Sequence, residues 1–336
     1  MAGHLLFQKE SFMKIAVTRR IPEAGVEVLI NAYGREHIRL CEEDSAMARD
    51  ALLDFIAGSD AILSTVTETL DAEAMDAAGP DLKVIANMAV GYDNISLEAA
   101  AARGIQVTNT PGVLTEATAD LAWTLILGAA RRAGEAERCL RAGHWDGWGP
   151  LQFLGRSVYG QTLGIFGMGR IGRAVARRAR GFDMTILYHD AKPLDEETEQ
   201  HLAARRVEKE VLLRNADILS IHCPLTPETR HAFTINEFRQ MKRTAMLVNT
   251  SRGPVVKEED LCVALHEGLI DAAGLDVYEY EPCVYPGLLL EERAFLLPHL
   301  GSATVETRGT MARIAAENIV AALAGRVPPN KVVPGE

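Results

Sequence analysis

Paired cysteines are missing from this chain. Cys41, Cys139, Cys223, Cys262 and Cys283 lie scattered, with no C-x-x-C spacing among them. An odd, dispersed set excludes a disulfide framework and reads as reduced thiols in a cytoplasmic protein. No cluster has metal-ligand spacing, so no metal is expected. The adjacent His222 and Cys223 close an apolar run and read as a strand end. Basic excess is missing as well: 35 Lys and Arg stand against 46 Asp and Glu, a net charge of −11. That balance disfavours nucleic acid and anionic membrane surfaces as partners. No run approaches the roughly 18 apolar residues of a membrane span. Residues 1–12 lack the apolar stretch of a signal peptide, and no function is attached to them. The chain shows neither internal repeats nor low-complexity segments.

Apolar residues, by contrast, make up 48% of the 336, enough for sizeable cores and a length suited to about two domains. Strand-like runs alternate with helical stretches. An early set comprises 14–18, 61–64, 83–88 and 106–108, with helical segments such as 46–57 and 97–102 between them. A later set comprises 163–166, 185–188, 218–222, 245–249, 272–276 and 294–297. This alternation predicts an α/β fold with parallel sheets. Between the sets, residues 117–130 are apolar nearly all round, which predicts a helix buried between domains or in a subunit interface. The chain turns helical again over 305–324, and this last helix is a candidate to return to the first domain.

The densest signal is Gly167-x-Gly169-x-x-Gly172. It follows the strand-like run 163–166 and precedes residues of helical composition, 173–180. Strand, glycine turn and helix in that order form the dinucleotide-binding fingerprint. Gly167 allows the tight turn, Gly169 lets the backbone approach a pyrophosphate, and Gly172 lets helix and strand pack closely. The helix N-terminus then offers free N–H groups to phosphate, and Arg170 and Ile171 are further candidates to bind the cofactor. The next strand ends at Asp190, 18 residues after Gly172, near the spacing at which a carboxylate meets the adenosine ribose.

Six ordered motifs carry a resemblance: 90–94 (Val-Gly-Tyr-Asp-Asn), the glycine fingerprint, 222–226 (His-Cys-Pro-Leu-Thr), 248–253 (Val-Asn-Thr-Ser-Arg-Gly), 274–282 and 297–303. Together the chain resembles the D-isomer-specific 2-hydroxyacid dehydrogenases from about residue 13 to 333. The look is closest to the glyoxylate/hydroxypyruvate reductase branch, through 145–150 and 298–304. The resemblance implies two Rossmann-like, doubly wound parallel-sheet domains with an active-site cleft between them. It places a discontinuous substrate-binding domain at 13–110 and 301–336 and an NAD-binding domain at 111–300.

Reducing a 2-keto acid requires a group to hold the carboxylate, one to polarise the carbonyl and one to deliver a proton. A guanidinium suits the first two tasks and an imidazolium the third, with a carboxylate to orient it. The resemblance assigns these roles to Arg252, His299 and Glu281. It places Thr118, Cys223, Pro224, Thr250 and Asp276 at the cofactor, Asp276 near the nicotinamide carboxamide, and Val90 and Gly91 at the substrate carboxylate. It suggests that Trp148 approaches a neighbouring subunit, with a buried aromatic anchor as the bland alternative.

These readings converge on an NADH-dependent reductase of glyoxylate or hydroxypyruvate. Ala191 stands where NADP-preferring relatives often carry arginine. The chain is expected to be a cytoplasmic homodimer, its partners small 2-keto and 2-hydroxy acids. The alternatives are another D-2-hydroxyacid or phosphite dehydrogenase, and a non-catalytic NAD-sensing protein. Residues 188–200 resemble the phosphite branch, but Val90 replaces the lysine that branch carries before its Gly-Phe-Asp-Asn run.

Overall fold

The computed structural model describes residues 13–333; the reading of residues 1–12 and the last three positions of the second substrate-domain segment lie outside them. The described residues divide into two compact units. One comprises 13–114 with 304–333, the other Thr115–Ala303.

The first unit is a five-stranded parallel sheet of β1 (Ile15–Val17), β2 (Ile38–Leu40), β3 (Ala61–Ser64), β4 (Val84–Asn87) and β5 (Gln106–Thr108), in the order β2-β1-β3-β4-β5. Strands β1, β3 and β4 are buried at every residue, as strands covered on both faces must be. The edge strand β2 was not expected from sequence. Its pattern, Ile38 inward and Arg39 exposed, is too short and too polar to announce itself. Helices α2 (Arg49–Ile56), α3 (Ala72–Ala78) and α4 (Leu97–Ala102) belong to one face. The other face carries α1 (Glu23–Tyr33) and the chain's last helix, which packs on α1, β3 and β4. Its expected return to the first domain is therefore seen. Gly25 of α1 is pressed against this helix, where a Cβ would lie 2.7 Å from the Ala312 carbonyl oxygen.

The second unit holds seven parallel strands: β6 (Thr162–Phe166), β7 (Thr185–His189), β8 (Ala204–Arg206), β9 (Ile218–Ile221), β10 (Met246–Asn249), β11 (Ala272–Leu275) and β12 (Ala294–Leu296). Their order is β12-β11-β10-β9-β6-β7-β8, with the direction of winding reversing between β6 and β9. In open α/β sheets, ligands bind beyond the carboxyl ends of the strands at this switch. Strand β8, exposed at both arginines, is the other edge strand the sequence did not reveal.

The apolar helix α5 (Thr115–Ala130) finds its burial inside this unit. It packs on α7 (Arg170–Ala179) and on β10, β11 and β12. Trp123 donates its indole N–H to the Val175 carbonyl at 3.2 Å and stacks on Phe182 at 4.5 Å. Gly128 leaves room for Phe295, whose ring would lie 2.3 Å from a Cβ there. The all-round apolar character is thus explained without a second subunit. Helix α6 (Ala133–Arg141) follows α5; α8 (Glu196–Leu202), α9 (Lys209–Asn215), α10 (Ile235–Phe238), α11 (Glu258–His266) and α12 (Pro286–Leu290) complete the layers, and α13 (Val305–Leu323) is the last helix. No helix among the described residues is long and apolar enough to cross a membrane.

Candidate active site

Six segments of the second unit end at the same edge of the sheet, each just past a parallel strand. Gly167 follows β6, Asp190 follows β7, His222 and Cys223 follow β9, Thr250 and Arg252 follow β10, Asp276 follows β11, and His299 lies beyond β12.

The glycine turn has the geometry its spacing predicts. Gly167 adopts φ +98°, and a Cβ there would lie 2.4 Å from the Cys223 nitrogen. Only glycine lets β6 and β9 approach in this way. At Gly172 a Cβ would meet the Gly167 carbonyl oxygen at 2.3 Å, so the start of α7 sits directly on the turn. Gly169 differs, because nothing lies within 4 Å of its Cβ position. That open space, at a helix start with no side-chain cap, fits a pyrophosphate against the Arg170 and Ile171 turn. α7 begins at Arg170, earlier than its composition suggested. Asp190 is fixed from both sides: Oδ2 accepts the Met168 N–H at 2.6 Å and Oδ1 the Lys192 N–H at 2.9 Å. The residues present therefore fit a dinucleotide.

Cys223 and Pro224 flank the same turn. Burial pushes the Cys223 thiol up to about 12, so the side chain is an uncharged packing group. The Pro224 carbonyl accepts the Thr229 hydroxyl at 2.7 Å. His222 is a half-buried, neutral histidine, its imidazole pushed down to about 3 by desolvation. It pairs with Ser220 Oγ at 2.8 Å and Thr250 Oγ1 at 3.3 Å, which ties the ends of β9 and β10 together.

Arg252 projects from a short turn braced by Asn249. The Asn249 side chain donates to the Arg252 carbonyl at 3.0 Å and accepts the Ser251 N–H at 3.0 Å. Gly253 then lets this turn touch the next one; a Cβ would lie 1.9 Å from the Tyr278 carbonyl carbon.

His299 Nδ1 lies 2.8 Å from Glu281 Oε2, and the other Glu281 oxygen accepts the Tyr278 N–H at 3.0 Å. Burial works to raise the Glu281 carboxyl. The His299 hydrogen bond and charge, the Tyr278 N–H and Arg252 outweigh it and hold it below its ordinary range. His299 itself has a left-handed backbone, φ +55°, costly for a non-glycine residue. Asp276 is what imposes that turn. Its carbonyl accepts the His299 N–H at 2.9 Å, and its carboxylate accepts the Leu300 N–H at 2.6 Å and the Gly301 N–H at 2.8 Å. Burial pushes Asp276 up, to about 6, against the pull of those two N–H groups and the His299 charge. The sequence marked Asp276 for the cofactor and missed this holding of the His299 loop. An acid ending one strand, with a histidine closing the next, was the available signal. Thr118 adds a brace from α5, donating its hydroxyl to the Gly301 carbonyl at 3.1 Å.

Val90 and Gly91 belong to the first unit. Their carbonyls accept the amides of Asn109 at 2.8 Å and Asn87 at 2.9 Å. Asn87 also donates to Asn94 Oδ1 at 3.0 Å, and Asn94 donates to the Thr65 and Glu68 carbonyls. This asparagine clamp went unnoticed in the sequence beyond the 90–94 motif. Trp148 is 84% exposed, so the anchor reading of its side chain does not hold within a single chain.

A dinucleotide cradle and an imidazole–carboxylate pair on one sheet edge mark an oxidoreductase of the NAD(P)-using class. Residues 123–301 match the family model described as the D-isomer specific 2-hydroxyacid dehydrogenase, NAD binding domain. A glyoxylate reductase of Korarchaeum cryptofilum is 48% identical over 321 residues, 95% of each chain. A solved protein of Thermus thermophilus superposes with a TM-score of 0.87 at 43% identity, covering 96% of this chain and 100% of its own. An NADPH-dependent glyoxylate/hydroxypyruvate reductase of Sinorhizobium meliloti, solved with NADP and malonate, gives 0.83 at 34% identity, covering 96% and 97%. The chain belongs to the D-isomer-specific 2-hydroxyacid dehydrogenases.

Proposed function

We propose that the protein reduces small 2-keto acids, glyoxylate and hydroxypyruvate foremost, to D-2-hydroxy acids with NADH. The observation that carries this is the His299–Glu281 pair at 2.8 Å. Glu281 accepts a hydrogen bond from Nδ1–H and remains a carboxylate, which leaves the Nε2–H of the imidazolium to deliver a proton to the substrate oxygen. Arg252 holds the substrate carboxylate and polarises its carbonyl, as a planar, permanently charged fork suits both. The dinucleotide, when bound, supplies the hydride to the carbonyl carbon. Thr118, the 167–172 turn, Cys223, Pro224, Thr250 and Asp276 hold it in place. In the reverse direction, His299 takes the proton back.

NADH rather than NADPH rests on Asp190, whose carboxylate repels a 2′-phosphate, and on Ala191 beside it. The relatives do not decide the matter, since the S. meliloti neighbour is NADPH-dependent. Support for the substrate comes from the K. cryptofilum relative, a glyoxylate reductase. Against phosphite stands Val90: a doubly charged oxyanion in a dry site needs more than one cation. Against a mere NAD sensor stands the complete Arg252, Glu281, His299 set.

We also propose a homodimer. Leu140, Trp145, Trp148, Leu151, Leu154 and Tyr159 are exposed within twenty residues of one another, a density of apolar surface that marks association. The cytoplasm is the proposed location, where five free thiols are stable.

NADH oxidation followed across glyoxylate, hydroxypyruvate, pyruvate and 2-ketogluconate, with phosphite plus NAD in the reverse direction, tests the reading. Glyoxylate and hydroxypyruvate should give the highest kcat/KM and phosphite no NADH. Turnover of phosphite alone would reverse the assignment.

A further inference from the structure

A second histidine–carboxylate pair lies behind the first. His231 Nε2 is 2.5 Å from Glu279 Oε1, and Glu279 is separated from Glu281 by Tyr280 alone. We propose that His231 and Glu279 are positioning residues that set where Glu281 meets His299. The proposal rests on the acid–base reading given above.

Three observations carry it. First, the segment bearing Glu281 is fastened from behind at several points. The Glu279 N–H donates to Glu258 Oε1 at 2.5 Å, the Tyr285 N–H donates to Glu258 Oε2 at 3.0 Å, and the Glu258 N–H donates to Glu279 Oε2 at 3.3 Å. Glu258, at the start of α11, is 4% exposed, so these bonds form in a site that water does not replace. Second, His231 reaches both turns of the site. Its backbone N–H donates to the Pro254 carbonyl at 2.8 Å, two residues past Arg252, while its ring holds Glu279. Gly253 in turn lies against the Tyr278 carbonyl. The Arg252 turn and the Glu281 turn are thus joined by one backbone contact and one side-chain staple. Third, His231 has φ +52°, a left-handed backbone that a non-glycine residue adopts only where its surroundings impose it.

The charged groups around the staple are Glu279, Asp260 and Lys257 on the His231 side, and Glu258, Arg252, Asp276 and His299 on the Glu281 side. Among the described residues, the hydrogen bonds of His231 and Glu279 lead to each other, to Pro254 and to Glu258, not to His299. Their effect must pass through the 279–281 segment. Losing the staple frees that segment to shift, and a misplacement on the order of 1 Å costs up to about 100-fold when it disturbs a proton-transfer geometry.

The test uses the full-length protein with His231→Ala, His231→Gln and Glu279→Gln. Gln keeps a side-chain donor near the reach of Nε2. Expected for His231→Ala is a fall of about 10-fold in reductive kcat with NADH affinity unchanged, and an alkaline limb of kcat/KM moved to lower pH. His231→Gln should restore both. A His231→Ala enzyme with wild-type kcat and wild-type pH limb overturns the proposal, as does failure of His231→Gln to recover while its melting temperature matches wild type. If His231→Ala does not fold, Glu279→Gln carries the same comparison, and a wild-type limb there overturns it equally. Imidazole signals of nitrogen-labelled histidine, with His299 assigned through His299→Asn, read the pair without turnover. Their titration should move in His231→Ala, and an unchanged titration overturns the positioning. A wild-type enzyme that reduces no keto acid would instead defeat the functional reading, and the imidazole signals keep the two failures apart.

Discussion

His299 hangs between two carboxylates that act on different parts of it. Glu281 holds its ring, at 2.8 Å, and Asp276 holds its backbone, at 2.9 Å through the carbonyl and through the carboxylate one and two residues on. The ring's direction and the loop's course are therefore set independently. Each can be removed without the other, and the consequences separate.

Removing the ring's partner should change the pH profile. Reduction requires a protonated imidazole, so reductive kcat/KM falls as pH rises. Glu281 is held below its ordinary range and stays charged at neutral pH, where it favours the imidazolium. Glu281→Gln should move the fall to lower pH, and His299→Ala should cost about 10²–10⁴-fold in kcat. An unchanged limb in Glu281→Gln removes Glu281 from this role.

The same carboxylate should leave a mark on stability in acid. Because Glu281 is depressed from its ordinary 4.5, its contribution is present above that value and is lost as pH falls through the lower, folded-state value. The melting-temperature gap between wild type and Glu281→Gln should be full at pH 6–8 and close as pH drops below about 4.5. A gap that widens in acid contradicts this sign.

The glycines should sort into two kinds. Gly253→Ala drives a Cβ to within 1.9 Å of the Tyr278 carbonyl, and Gly172→Ala drives one to 2.3 Å from the Gly167 oxygen. Both should lower the melting temperature, by about 1–3 kcal/mol of stability or more. Gly169→Ala meets nothing within 4 Å and should melt like wild type while binding NADH more weakly. Wild-type NADH affinity in Gly169→Ala, read by nucleotide fluorescence, would show that no phosphate approaches there.

Cofactor choice should turn on residues 190 and 191. Asp190→Ser with Ala191→Arg should move the kcat/KM ratio toward NADPH. Lys192 and Arg206 already stand near; Arg206 donates to the Asp190 carbonyl at 3.0 Å. An unmodified enzyme that uses NADPH as well as NADH would mean these two cations outweigh Asp190.

Association should depend on the exposed apolar stretch. Sedimentation at micromolar concentration should show a dimer, and Trp148→Asp with Leu151→Asp should move it toward monomer. A wild-type monomer contradicts the proposal.

The central strands were legible because each is a short, mostly apolar run, as in β9 and β10, and their parallel arrangement followed from the alternation with helices. The edge strands β2 and β8 were not, because a three-residue strand buried on one side carries no periodic signal. The glycine turn was legible at Gly167 and Gly172, where a positive φ and a close helix–strand approach each leave glycine as their trace. What sequence could not convey was double duty. Asp276 and Glu279 look like ordinary turn acids, and only the fold shows that one clamps the His299 loop and the other meets His231. The apolar helix α5 was misread for a related reason: full burial shows in composition, but what provides it does not.

Gly25 pressed against Ala312 has a consequence for how the chain comes into being. Helix α13 covers the face of the first sheet formed by Ile15, Val17, Leu63 and Ala86. During synthesis these strands leave the ribosome early, yet α13, which starts at Val305, is translated only after the whole of the second unit. At about 5–20 residues per second, that apolar face waits on the order of tens of seconds. The inserted unit, Thr115–Ala303, is complete before its host, so the usual order, in which the amino-terminal domain folds first, is inverted. A nascent chain whose residue 303 has just cleared the ribosome would carry a complete second unit beside a half-covered first sheet, an apolar face open to chaperones.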